Sequence, residues 1–202
     1  MEHFHQSDKT LHIDLELHVL ETGVGSIAAA FALTKALQHE PYDIVIQAGI
    51  AGCFDPDVPL ASVVAIKSDT SADLGVEEKS GFRSIFEFDL GKPNQFPFQK
   101  GKLKNPHTEW LKKSRLKAVP AITVQEISTD KKRIKHYRKQ WSPLAESMEG
   151  AAFHYVCLQE GVPFIQIRSF SNYVGERNKK KWKMKEAIEQ LNGVLARLLE
   201  SL

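Results

Sequence analysis

In a chain of 202 residues, the side chains best placed for chemistry fall in two clusters late in the sequence and one glycine-rich stretch early in it. Arg168-Ser169-Phe170-Ser171-Asn172 closes an apolar run that begins at Pro163, and Met148-Glu149-Gly150 opens an alanine-rich segment. The early stretch is Gln47-Ala48-Gly49-Ile50-Ala51-Gly52-Cys53. Asn172 lies at the C-terminal end of its run, where open α/β sheets present groups to ligands. Its amide carries two N–H donors. It cannot release a proton as an acid does, so it would hold a departing group by hydrogen bonds. The Glu149 carboxylate favours positive charge on whatever it faces. Gly49, Ala51 and Gly52 leave room for a ligand to approach the backbone. The same residues have plainer uses: Asn172 as the cap of the loop after it, Glu149 as the complement of a helix N-terminus, and Arg168 as a structural strand-end cation.

Strands and helices have to hold these groups. Leu11 to Leu20 alternates apolar residues with His, Asp and Glu, the period-two pattern of a strand with one buried face. Residues 21–26 form a turn with two glycines, and Ser26 is placed to cap a helix over residues 27–38 that Pro41 stops. Residues 43–47 read as a short apolar strand leading into a glycine turn, and residues 60–67 as a further strand. Residues 68–105 are rich in Gly, Pro, Phe and charge; they read as long loops with a hairpin at Arg83 to Leu90, a lid or an interface. After Pro106 come a short helix, a strand at Ala118 to Gln125 and a basic helix from Asp130 to Gln140. A helix from Ser147 to Glu160 ends at Gly161 and Pro163, and a core strand follows from Pro163 to Phe170. The last helix runs from Lys181 to Leu202, with Met184, Ile188, Leu191, Leu195 and Leu198 on one face. Strands alternating with helices make this an α/β fold.

Composition removes several functional classes. The hydrophobic fraction of 42% and charged fraction of 26% are ordinary for a globular protein with a sizeable core. A net charge of +2 is too small to mark a nucleic-acid or membrane-surface protein, so the basic runs 131–139 and 177–185 read as solvated faces. No apolar run approaches the roughly 18 residues of a membrane span. Met1 to Lys9 lacks the apolar core of a signal peptide, which makes the cytoplasm the expected location. Cys53 and Cys157 stand in apolar surroundings and read as buried free thiols. The histidines show no metal-ligand spacing, so no metal site is expected.

Three stretches, in this order, resemble the purine nucleoside phosphorylase/nucleosidase family. Residues 21–30 resemble its glycine turn leading into an alanine-rich helix, and residues 47–53 its Gly-Ser-Ala-Gly turn after a buried strand. Residues 146–152 with Ile167 to Asn172 resemble its Met-Glu-Ala-Ala helix start and its Arg-x-x-Ser-Asp/Asn strand end. Within the family, Ser171 to Gly175 with Arg177, Asn178 and Trp182 is most similar to the futalosine hydrolases, which release hypoxanthine from futalosine in menaquinone biosynthesis. The resemblance implies a three-layer α/β sandwich, with a mixed central sheet flanked by helices, formed by residues 1–202 as one domain. It implies a homo-oligomer of two or more copies that hydrolyses the N-glycosidic bond of a small-molecule purine nucleoside without a cofactor.

In that reaction the ribose becomes oxocarbenium-like while electrons flow into the purine, and rate is gained by stabilising both developments. By resemblance, Asn172 donates to N7 and O6 of a 6-oxopurine, where an Asp would suit adenine. Glu149 accepts from the ribose hydroxyls, Met148 packs under the sugar, Ser171 orients Asn172, and Arg168 flanks the base. Gly49, Ala51 and Gly52 admit the nucleoside to the backbone. The family's phosphorylases bind phosphate with an Arg and a Ser where this chain has Gln47 and Ile50, which favours water as acceptor. Thr22, Ser26 and the loop amides remain candidates for an anion. The family also begins with a strand and a loop ahead of the segment matching Leu11, and that loop carries a Glu that activates water. The chain has no match to them, so the resemblance implies an impaired enzyme whose sheet lacks its first strand, with Glu21 the nearest substitute. The alternatives are a methylthioadenosine/S-adenosylhomocysteine nucleosidase, a purine nucleoside phosphorylase and an inactive nucleoside-binding protein. Arg177, Lys179 and His107 are candidates to meet the benzoate tail of futalosine.

Overall fold

The structure, a computed structural model, describes residues 15–79 and 81–202. Helix α1 (Ser26–Leu37) precedes strands β1 (Val45–Cys53) and β2 (Val63–Asp69). A hairpin of β3 (Gly75–Glu78) and β4 (Gly81–Ser84) follows, then β5 (Leu103–Lys104), α2 (Thr108–Lys113) and β6 (Lys117–Thr123). The remainder is α3 (Lys131–Trp141), β7 (Ala145–Ser147), α4 (Gly150–Glu160), β8 (Phe164–Tyr173) and α5 (Met184–Leu199).

The main sheet has the order β5-β2-β6-β7-β1-β8, and β8 also pairs with β2, so the sheet curls until β8 closes it. It is mixed: β1 with β8, β2 with β6 and β6 with β7 are parallel, whereas β2 with β8 and β1 with β7 are antiparallel. Inside the curl, Ala51, Cys53, Ile66, Val119, Ala121 and Phe170 form one core. Outside it, Leu191 and Leu198 of α5 and Leu111 of α2 pack on Ala65, Ile165 and Ile167. On another side, Leu33 of α1 and Phe153, Val156 and Cys157 of α4 close on Phe164. With helices covering it and β1 and β2 alongside, β8 is buried over its first eight residues, so Phe164, Ile165, Ile167 and Phe170 are buried together with the polar Gln166, Arg168, Ser169 and Ser171. A mixed sheet flanked by helices is the architecture the resemblance implied.

Several local expectations need correcting. Of the strand expected at Leu11 to Leu20, residues 11–14 lie outside the described residues and residues 15–20 form no strand. Leu15, Val19 and Leu20 are 44%, 62% and 45% exposed. An alternating sequence becomes a strand only where a neighbour completes its ladder. The glycine stretch 47–53 is no turn: it continues β1. Over residues 45–51, β1 pairs with β8 alone among the described residues, because β7 meets only Gly52 and Cys53. The cap of α1 is Gly25, at φ 91°, a conformation an L side chain resists; Ser26 is the first helical residue. The hairpin lies at Gly75 to Ser84 rather than Arg83 to Leu90. Ser147 ends β7, paired with Thr123, and the helix begins only at Gly150. On α5, Met184 and Ile188 are 37% and 44% exposed, so the packed face is carried by Ala187, Leu191 and Leu198. Cys53 and Cys157 are buried free thiols. Among the described residues no helix is long and apolar enough to cross a membrane.

Candidate active site

Gly49 and Gly52 of β1 are bare because side chains from neighbouring strands press against them. A Cβ on Gly49 would stand 2.3 Å from Arg168 Nη1, and one on Gly52 would stand 3.0 Å from a Val174 methyl and 3.6 Å from Asn172 Nδ2. Such glycines mark a close approach within a strand rather than a turn. They organise two groups of polar residues at successive levels of β1.

The first group centres on Arg168, which is only 4% exposed. Its Nη2 donates to Gln47 Oε1 at 2.9 Å and lies 3.5 Å from Glu149 Oε2, while Nη1 reaches Ile50 O at 3.4 Å. Burial depresses the Arg168 pKa, and the Glu149 and Asp69 carboxylates oppose that. Glu149 precedes α4 but makes no side-chain cap to it. Its Oε1 instead accepts from Gly25 N at 3.1 Å, at the head of α1. Next to it, Ser26 N donates to Gln125 Oε1 at 3.2 Å, Gln125 Nε2 donates to Ser26 Oγ at 2.7 Å, and Ser26 Oγ donates to Met148 O at 3.3 Å. The amides at the head of α1 would otherwise suit an anion. Here Glu149 and Gln125 occupy two of them, those of Gly25 and Ser26.

The second group lies where β7, β1 and β8 meet. Gly52 is in register with Glu146 on one side and Asn172 on the other. Ser171 is the extra residue of a bulge in β8, since Ala51 pairs with Phe170 and Gly52 with Asn172; bulges re-aim side chains. Ser171 Oγ donates to Asn172 Oδ1 at 2.8 Å and also stands 3.5 Å from Ala51 O. Asn172 Nδ2 donates to Tyr173 O at 3.0 Å, so one of its two N–H groups stays available.

The sequence-nominated residues therefore divide. Glu149, Arg168 and Gly49 come together, with half-buried Met148 in the loop beside them. Asn172, Ser171 and Gly52 form the other set, and the four residues Glu146 to Glu149 link the two. Arg168 sits on Glu149 and Gln47 rather than beside Asn172. The Ala51 side chain belongs to the core, leaving only its backbone near the site. A cleft of about 460 Å³ runs along the single-paired part of β1 and is lined by Gln47, Gly49, Glu149, Arg168, Thr22 and Gly23 at its polar end. Asn172 and Gly52 do not line it. Glu21 is exposed in the loop before Gly23. His107 packs edge-on to Phe164 at 5.7 Å, so the run of β8, about 26 Å, separates it from Asn172. Arg177 lies 5.7 Å over the Trp182 ring, and Lys179 is exposed.

Sequence reasoning missed the support beneath Glu149. Fully buried Asp69 accepts from Thr70 N at 2.7 Å and Thr123 Oγ1 at 2.9 Å, and Thr123 Oγ1 accepts from Ala151 N at 2.7 Å. The first turn of α4 is thus capped from β2 and β6. Burial pushes the Asp69 pKa up to about 6. Nearby, burial pulls His154 down to about 4. An aspartate closing the apolar run Val63 to Asp69 was the available signal. Gln125 and Glu146 carried none beyond their place in the quoted segments.

A profile of the Phosphorylase superfamily matches residues 2–200. Over 183 residues the chain is 31% identical to the futalosine hydrolase of Thermus thermophilus, covering 89% of this chain and 80% of that protein. Over 197 residues it is 33% identical to the futalosine hydrolase of Streptomyces coelicolor, covering 91% and 80%. Among solved structures, a 5'-methylthioadenosine/S-adenosylhomocysteine nucleosidase from Colwellia psychrerythraea, in complex with adenine, superposes with a TM-score of 0.74 at 22% identity, over 90% of this chain and 76% of that one. The last likeness shows the fold; the profile and the two relatives show the family, and the chain belongs to the phosphorylase superfamily.

Proposed function

We propose that the chain is a nucleosidase that hydrolyses the N-glycosidic bond of futalosine, releasing hypoxanthine and leaving dehypoxanthine futalosine. The observation that carries hydrolysis is the placement of Glu149. Its carboxylate occupies the Gly25 amide at the head of α1 and faces Arg168, the buried cation a phosphate would need. A phosphate there would meet a carboxylate on the same donors, so the acceptor is water. The two futalosine hydrolase relatives support the substrate.

In this reading the ribose lies against Glu149, which accepts from its hydroxyls and favours the positive charge that grows on the ring. Arg168 and Gly25 hold that carboxylate in place, and Met148 flanks the sugar. The base lies against Asn172, whose free N–H donates to N7 or O6 as electrons flow into the purine. Ser171 fixes the amide by donating to its oxygen, which turns the NH2 toward the base. Asn172 gives no proton away, so the base departs as a hydrogen-bonded anion or takes its proton from water. Futalosine, inosine and methylthioadenosine incubated with the chain, with and without phosphate, test this. Hypoxanthine from futalosine at a phosphate-independent rate is expected; release from methylthioadenosine alone, or a ribose phosphate product, contradicts it.

A further inference from the structure

We propose that Gln166 is a positioning residue for Glu149 that links Asp69 and His154 into one unit sharing a single proton beneath the head of α4. Its bearing on catalysis rests on the reading that Glu149 meets the sugar. Gln166 and Arg168 are two apart in β8 and so point to the same face. Arg168 pairs with Glu149, and Gln166 lies beneath the next residue, Gly150. A Cβ on Gly150 would stand 2.2 Å from Gln166 Nε2 and 2.2 Å from Asp69 Oδ2, so amide and carboxylate share the space a side chain would take. On its other side Gln166 acts as an acceptor toward His154. Asp69, Gln166 and His154 are all fully buried. Among the described residues, Asp69 Oδ2, both polar atoms of the Gln166 amide and His154 Nε2 have no partner outside this set. The remaining polar atoms are fixed: Asp69 Oδ1 accepts from Thr70 N and Thr123 Oγ1, and His154 Nδ1 stands 3.1 Å from Leu103 O. A carbonyl only accepts, so Nδ1 carries the imidazole hydrogen.

One amide cannot serve both neighbours when neither holds an extra proton. Ionised Asp69 Oδ2 and neutral His154 Nε2 are both acceptors, whereas the NH2 lies on one side of the amide and its oxygen on the other. The structure turns the NH2 to the carboxylate, which leaves His154 Nε2 facing an oxygen. A single proton removes the conflict. As a carboxylic acid, Asp69 donates to Gln166 Oε1, and the turned amide donates to His154 Nε2. A proton on His154 instead would leave two buried charges, and burial disfavours both. The charged group acting on both ends of the unit is Arg168, which is itself paired with Glu149. Leu103 of β5 and Thr123 of β6 contribute neutral groups, and His107 meets the same Phe164 ring as His154.

The test follows the His154 ring nitrogens and the Gln166 side-chain NH2 by nitrogen NMR between about pH 5 and 8. Burial pulls the His154 pKa down to about 4, so the ring stays neutral and its Nε2 signal reports the amide. In the wild-type chain both signals should move together with a midpoint near 6, the pKa of Asp69. In Asp69→Asn, whose own amide donates to Gln166 at every pH, Nε2 should hold its low-pH position throughout. Static signals in the wild-type chain, or equal movement in Asp69→Asn, overturn the inference. Gln166→Met keeps the size without the donor, and should lower kcat for hypoxanthine release by about tenfold or more while KM stays within about twofold. An unchanged kcat in the folded variant overturns the positioning role. If a variant does not fold, the wild-type signals decide: joint movement supports the unit and static signals overturn it. No base release by a wild-type chain whose signals move together removes the nucleosidase reading and leaves the proton-sharing unit standing.

Discussion

In the proposed reading Glu149 carries two duties at once: it would face the sugar, and its carboxylate holds the Gly25 amide and Arg168, the cradle that a phosphate would otherwise meet. Replacing it separates them. Glu149→Gln keeps an acceptor for Gly25 N but removes the charge, and should lower kcat for hypoxanthine release by about a hundredfold. Glu149→Ala frees both Gly25 N and Arg168. Inorganic phosphate should then raise the melting temperature of this variant and leave that of the wild-type chain unchanged, because only a ligand that binds the folded state stabilises it. Equal responses would show that the cradle was open all along. Gly49→Ala should act through Arg168, since its new Cβ would displace Nη1; a loss of activity larger than the loss of stability is the expected outcome in kinetics and urea unfolding. The types and positions of Asn172 and Glu149 were legible from the sequence. Their partners were not, because Gly25 lies 124 residues from Glu149 and Gln47 lies 121 from Arg168.

At the scale of elements, α4 is the piece whose placement matters most, and its N-terminus is capped by other strands. Thr123→Val leaves Ala151 N without its acceptor and should cost about 1–2 kcal/mol in denaturant unfolding, with a fall in activity that Thr123→Ser restores. Asp69 and His154 give opposite pH dependences. The raised Asp69 pKa contributes stability that is present below about 4 and is lost as pH rises through about 6. The depressed His154 pKa contributes stability that is present above about 6.5 and is lost as pH falls through about 4. The two offset one another in the same window. Asp69→Asn keeps an acceptor for Thr70 N and Thr123 Oγ1 but no longer titrates, so its stability should fall more steeply than wild type on acidification from pH 6.5 to 4, by on the order of 1 kcal/mol or more. Parallel curves would remove Asp69 as the titrating group. The strand β8 announced itself through the apolar residues Phe164, Ile165, Ile167 and Phe170 after Pro163. The segment before Glu21 did not, because whether an alternating run pairs depends on a neighbour that its own residues do not encode. The 47–53 stretch misled for a related reason: its glycines at 49 and 52 answer to the side chains of Arg168 and Val174, not to a turn.

For the molecule as a whole, a curled mixed sheet with helices on its outside brings β1, β7 and β8 to one place, and the residues proposed to meet the sugar and the base lie on those strands or at the head of α4, with support from β2, β6 and the head of α1. Membership of the phosphorylase superfamily sets the fold, whereas in the proposed reading the choice of acceptor and base turns on a few side chains, Glu149 and Asn172 among them. The most direct measurement is the rate of hypoxanthine release from futalosine in phosphate-free buffer by the wild-type chain, Glu149→Gln and Asn172→Ala. The account predicts turnover by the wild-type chain and a loss of about a hundredfold in each variant, with all three equally folded. Near wild-type rates in both variants, or a wild-type rate that requires added phosphate, would contradict it.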